Sequence, residues 1–251
     1  SVSDIWIWDL GAGNMQRITF DSASSAAEWL PDGRRLVYAR ASGPVVGLFT
    51  ILADGSGKPE SLLTRPNPIF ESSPTPDGRA LVFREMVAAD GSNNRDIWIT
   101  GLDSTQGARP LAATPFEERN PAVSPDGRGL AYTSTETGEY EVYVRGLAEG
   151  SGRTRVSTGN GGEPRWAHSG RELFFIGRDS VYAVTVTPGP EIRFSTPRGL
   201  LPTMSSGGLL TGWDVSPDDR RFVFARPPET TLGDPLRVVL HWFDHLRAAR
   251  R

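Results

Sequence analysis

The chain has 251 residues, 37% hydrophobic and 23% charged, with a formal net charge of −3 and no cysteine. That balance allows a folded core, excludes disulfide frameworks and thiolate chemistry, and leaves no positive field broad enough for nucleic-acid binding. The 28 glycines and 20 prolines favour turns over long helices, and no apolar run approaches the ~18 residues of a membrane span.

In chain order, Asp4-Ile5-Trp6-Ile7-Trp8 and Gln16-Arg17-Ile18-Thr19 are two strand-like segments. A turn, Pro31-Asp32-Gly33-Arg34, then begins a series. It recurs as Pro76-Asp77-Gly78-Arg79 and Pro125-Asp126-Gly127-Arg128, and in degenerate form as His168-Ser169-Gly170-Arg171 and Pro217-Asp218-Asp219-Arg220. The steps are 45, 49, 43 and 49 residues. A period in the forties that carries several short strands is the signature of propeller blades. Proline sets φ, aspartate accepts local backbone hydrogen bonds and glycine takes the positive φ of each turn.

Each turn sits in a common frame. A short strand precedes it, and an apolar triplet follows: Leu36-Val37-Tyr38, Leu81-Val82-Phe83, Leu130-Ala131-Tyr132, Leu173-Phe174-Phe175 and Phe222-Val223-Phe224. Apolar residues on both faces mark a strand covered on both sides, as in a blade between two others. Third strands follow at 47–51, 96–99, 141–144, 180–183 and 236–243, and weaker fourth strands at 61–64, 109–111 and 154–157. Asp4 to Trp8 and Gln16 to Thr19 match third and fourth strands with no first or second ahead of them.

The predicted fold is all-β, a six-bladed β-propeller of which about five and a half blades are present. The expected units are a half-blade at 1–20, repeats at 21–64, 65–112, 113–158, 159–202 and 203–243, and a basic tail at 244–251. The inner half of the first blade is expected upstream of Ser1, in a longer protein.

The frame of aromatic, serine, Pro-Asp-Gly-Arg and then Asp-Ile-Trp resembles the TolB-type, WD-like propeller repeats of bacteria. Three segments sharpen the likeness: Asp4 to Leu10 with Arg17 to Phe20, Thr114 to Pro121 ahead of Ser124-Pro125-Asp126-Gly127, and Val238 to Phe243. They are similar to the C-terminal propellers of bacterial multidomain proteins, many with an N-terminal serine/threonine kinase and one membrane span. The resemblance implies an extracytoplasmic, periplasmic sensor or interaction domain. No glycine-rich nucleotide loop or His-Arg-Asp loop of a kinase occurs in these 251 residues.

No catalytic constellation, metal site or cofactor motif stands out. His168 replaces a turn proline. His241 and His245 lie four apart in a strand-like stretch, about 13 Å at ~3.3 Å per residue, too far to share a metal. Gly11-Ala12-Gly13 lacks the third glycine of a dinucleotide loop and reads as a hairpin turn. The arginines after the turns (Arg34, Arg79, Arg128, Arg171, Arg220) read as stem packing and pairing with the turn aspartates, and Trp6, Trp8 and Trp98 as packing between blades.

The inner strands of a propeller line its channel. Five residues before each turn stand Ala26, Glu71, Asn120, Glu163 and Gly212, with Glu28, Glu118, Arg119, Arg165 and Asp214 nearby. The candidate rim is therefore Glu71, Glu118, Arg119, Asn120, Glu163, Arg165, Trp213 and Asp214. Two readings stay open: these groups bind a protein, small molecule or glycan, or they solvate a water-filled channel. Two converging glutamates could approach Ca²⁺, which needs more oxygens than the pattern places. Loops at Ser205 to Gly208 and Thr230 to Gly233 add possible binding surface.

The favoured function is a non-catalytic binding module. The alternatives are an enzyme with a metal-assisted site at the rim, and the lid of a peptidase. The expected state is a monomer without direct membrane insertion, unless the open ring associates through its exposed apolar faces.

Overall fold

The computed structural model describes residues 3–40, 45–87, 94–102, 107–189, 192–202, 212–225 and 238–239. The expected loops at 205–208 and 230–233, His241, His245 and the tail at 244–251 lie outside them.

The described residues form six antiparallel sheets and no helix. The first pairs β1 (Trp6–Asp9) with β2 (Asn14–Arg17). Three sheets of four strands follow. The first runs β3 (Ser24–Trp29), β4 (Arg35–Arg40), β5 (Gly47–Leu52) and β6 (Glu60–Thr64). The second runs β7 (Ile69–Pro74), β8 (Ala80–Val87), β9 (Asn94–Gly101) and β10 (Arg109–Ala112). The third runs β11 (Glu118–Val123), β12 (Gly129–Ser134), β13 (Glu141–Gly146) and β14 (Arg153–Arg155). The fifth sheet holds β15 (Gly161–Trp166), β16 (Glu172–Gly177), β17 (Ser180–Thr187), β18 (Arg193–Phe194) and β19 (Arg198–Pro202), with β17 pairing both β18 and β19. The last runs β20 (Gly212–Val215), β21 (Phe222–Ala225) and β22 (Val238–Val239). Of the third strand expected at 236–243, only 238–239 is described.

The sheets stack in sequence order, each consecutive pair sharing an apolar core. Ile5 and Ile18 pack with Leu36, Tyr38, Phe49 and Ile51. Val37, Ala39 and Leu48 meet Ile69, Leu81 and Phe83, with Trp98 against them. Val82 and Ile97 meet Leu130, Tyr132 and Tyr143. Val142 and Val144 meet Trp166, Leu173 and Phe175, and Phe174 and Ala183 meet Trp213, Phe222 and Phe224. The apolar triplets are therefore split by the strand's period of two: alternate residues serve the blade before and the blade after. This sequential stacking of small sheets is a propeller.

Trp98 is the inter-blade residue expected. Trp6 is not. It is 52% exposed, because Ile5 and Ile7 take the face of the half-blade that meets the next sheet.

The turns hold as their chemistry requires, with one difference. Asp32, Asp77, Asp126 and Asp218 accept hydrogen bonds from the backbone N–H of Arg34, Arg79, Arg128 and Arg220 at 2.8–3.2 Å. The guanidinium partner of Asp32 is Arg35, at 2.7 Å, not Arg34. The degenerate turn at His168-Ser169 lacks its aspartate, and Asp219 of the next turn supplies one. Its carboxylate accepts the N–H of His168 at 2.6 Å and of Ser169 at 3.0 Å.

Candidate functional site

The inner strands share a local defect. In β3, β7, β11 and β15 the pairing register shifts in mid-strand, between Ser25 and Glu28, Ile69 and Ser72, Arg119 and Ala122, and Gly162 and Arg165. A bulge leaves the ladder locally unpaired and re-aims the side chains beside it. Ala26, Asn120 and Glu163 sit in the left-handed region, with φ of 52°, 53° and 50°. Asparagine tolerates that conformation; alanine and glutamate do so at a cost. Side chains of the preceding blade accept hydrogen bonds from the inner strands within and beside the bulges. Glu163 N–H donates to Thr133 Oγ1 at 3.2 Å, and Val123 N–H to Ser73 Oγ at 3.0 Å.

The bulges open onto one central cavity of about 1030 Å³. β3 contributes Ala26, Ala27, Glu28 and Trp29, and β7 Glu71 and Ser72. β11 adds Arg119, Asn120 and Pro121, β15 adds Glu163 and Arg165, and β20 adds Gly212, Trp213 and Asp214. Arg84 of β8, Arg95 of β9, Val223 of β21 and Trp6 of β1 complete the wall.

Seven of the eight candidate residues thus border one cavity; Glu118 does not. It is fully buried in its blade, where Oε1 accepts Thr114 Oγ1 at 2.5 Å and Ser134 Oγ at 3.4 Å. Glu118 and Arg119 are adjacent on a strand, so their side chains leave opposite faces. Trp213 is also mainly structural. It is 4% exposed, its ring stacks on Phe224, and Nε1–H donates to Glu163 O at 3.1 Å.

The charges divide by wall. On the side of β7 to β11, Arg84 pairs with Glu71 at 2.5 Å, and Arg95 and Arg119 converge on Glu117 Oε1 at 2.5 and 2.6 Å. Burial raises the Glu117 pKa, but Arg119 and Arg95 outweigh it and hold the carboxyl below the ordinary value. Burial lowers that of Arg84. The other side carries Glu28, Glu163, Arg165 and Asp214. Arg165 lies 4.0 Å from Asp214 and donates to Trp213 O at 3.2 Å. Burial pushes Glu28 up to about 7; Arg165 opposes this and Asp214 adds to it. Burial also raises Glu163, with Arg165 and Arg119 opposing and Glu71 adding.

The sequence reading missed Arg84, Arg95 and Trp29. A signal for Arg84 existed. The residue after each apolar triplet is Ala39, Arg84, Thr133, Ile176 and Ala225, so one blade alone places a cation there. Arg95 and Trp29 carry no comparable mark, because only the ring brings them to the axis.

Among the described residues no group of three or more histidines, cysteines, aspartates or glutamates has the spacing to hold a metal ion. No described helix is long and apolar enough to cross a membrane.

No protein-family model matches the chain. A curated TolB homolog of Chlorobium chlorochromatii (strain CaD3) is 31% identical over 155 residues, 59% of this chain and 32% of that protein. The chain thus spans about a third of the length of that relative. The crystal structure of TolB from Acinetobacter baumannii superposes with a TM-score of 0.65 at 16% identity, covering 87% of this chain and 52% of that one. A gluconolactonase from Xanthomonas campestris superposes with a TM-score of 0.62 at 16% identity, covering 88% of this chain and 75% of that one. Likeness at such identities is one of fold, and this fold carries more than one activity.

Proposed function

We propose that this chain, a β-propeller similar to TolB, is a non-catalytic, extracytoplasmic module that binds a protein partner at its central channel. The observation that carries this reading is the repeated bulge. Four consecutive inner strands break their ladders at matched positions and turn chemically different residues, Ala26, Glu71, Asn120 and Glu163, toward one cavity. A channel that only held water would not need three non-glycine residues in the left-handed region. Strain kept by a rigid scaffold is a common mark of a site that meets something. The extracytoplasmic placement rests on the TolB likeness alone.

The test is capture. The domain is immobilised, and cell-envelope protein of the source organism is passed over it beside a Glu71→Lys, Glu163→Lys, Asp214→Lys variant of matched melting temperature. A protein held by the native domain and lost by the variant is expected. Equal retention by both overturns the channel as the binding site.

A second reading has one observation in its favour. Glu28 lies in the cavity with a pKa of about 7, near the optimum for a general acid or base. On that reading the domain turns over a small substrate, and Glu28→Gln abolishes the turnover without unfolding the protein.

A further inference from the structure

Three guanidiniums, those of Arg84, Arg95 and Arg119, meet on one wall of the cavity. Their carboxylate partners are two, Glu71 and Glu117, so the cluster carries a surplus positive charge. A single oxygen, Glu117 Oε1, serves Arg95 at 2.5 Å, Arg119 at 2.6 Å and Arg84 at 4.0 Å. A guanidinium has five N–H donors, and these three leave most of theirs without an acceptor among the described residues. The Nε of Arg95 and the Nε of Arg119 are buried and have no hydrogen-bond partner among the described residues. Donors left in that state normally cost stability.

The cluster is also held in place. Arg84 and Arg95 lie over the Phe70 ring at 4.6 and 5.2 Å, and Arg119 over Tyr140 at 4.4 Å. Arg84 is 8% exposed. Rings against their faces keep the guanidinium edges free for in-plane hydrogen bonds, the geometry that suits a carboxylate. The opposite wall sets three carboxyl groups, Glu28, Glu163 and Asp214, against Arg165, and this acidic excess would repel a chain of phosphates or sulfates. A ligand that fits both walls brings one compact anion to the arginines and an uncharged or cationic group to the carboxylates.

We propose that Arg84, Arg95 and Arg119 form a carboxylate subsite that takes an aspartate or glutamate side chain of a partner polypeptide. This rests on reading the channel as the protein-binding site, and it names the chemistry recognised there.

The probes are acetyl-Leu-Glu-Lys-amide and its neutral counterpart acetyl-Leu-Gln-Lys-amide, titrated into the protein and followed by NMR. The glutamate peptide is expected to bind about tenfold more tightly, the worth of a charge-assisted hydrogen bond. That preference should vanish in Arg119→Gln and in Arg95→Gln. Arg119→Lys keeps the charge without the fork, and should keep a reduced preference if Arg119→Gln proves unstable. Equal affinity of the two peptides, absence of binding included, overturns the subsite, as does a preference that survives in the double Arg95→Gln, Arg119→Gln variant. Failure of the channel reading looks different: capture would then be indifferent to Glu163→Lys and Asp214→Lys. Failure of the subsite alone leaves capture sensitive to those changes and indifferent to Arg119→Gln.

Discussion

Glu28 shows how one residue couples the site to stability. The ordinary value of its carboxyl is 4.5, and in the cavity it is pushed up to about 7. Between those values the unfolded chain releases the proton while the folded protein keeps it. The unfolded state therefore binds fewer protons, and stability falls as pH rises through the window. Glu28→Gln removes the titration. Melting curves should show the variant more stable than the native protein at pH 8, by at most about 3 kcal/mol and by less where cavity water screens the charge, with the difference closing by pH 4. A gap that does not change with pH would assign Glu28 a different environment. Arg65 makes a contrasting case. Through Nε and Nη2 it holds both oxygens of the fully buried Glu85 at 2.7–3.1 Å. Arg65→Ala strands that charge and should cost about 3–5 kcal/mol in denaturant unfolding.

At the scale of the element, turns and bulges repair one another across blades. Asp219 sits at φ 58° where the earlier turns have glycine, and its carboxylate caps the neighbouring turn at His168 and Ser169. Asp219→Ala loses both bonds and keeps the strain, so a loss of about 1–2 kcal/mol is expected. Asp219→Gly relieves the strain and should cost measurably less, which urea titration of the two variants will resolve. Thr133→Val is the matching test for a bulge. It leaves the Glu163 N–H without its acceptor and should cost about 1–3 kcal/mol. Gly47 marks a close approach, since a Cβ there would lie 2.0 Å from Leu63 O. Strands β5 and β6 can pair at that point only because the residue has no side chain.

At the scale of the molecule, the stacking has two unlike ends. Five apolar cores join six sheets in series, and no apolar cluster of described residues joins the last sheet to the first. The half-blade of β1 and β2 turns Ile5 and Ile7 to its neighbour and leaves Trp6 52% and Met15 62% exposed. Exposed apolar side chains grouped on one strand pair favour association. Sedimentation of the 251-residue chain should show concentration-dependent self-association, weakened by Trp6→Lys with Met15→Glu. A monomer at all concentrations would mean that this face is covered.

The spacing of the Pro-Asp-Gly turns and the apolar triplets is enough to specify a propeller. Turn chemistry is local, and a triplet apolar on both faces has no other use than a strand covered on both sides. The repeat also placed Glu71, Asn120, Glu163, Arg165 and Asp214 at the channel, because a residue's position within a blade fixes its distance from the axis. The tertiary structure decided what the repeat could not. Glu118 turned into the blade because side-chain direction alternates along a strand. Trp6 stayed exposed because, among the described residues, the two-stranded first sheet packs its apolar face, Ile5 and Ile7, against one neighbour. Arg84 and Arg95 reached the cavity from second and third strands, and the carboxylates they pair with there lie up to 33 residues away in the chain. Contacts of that kind follow from closing blades around an axis, and no local pattern records them.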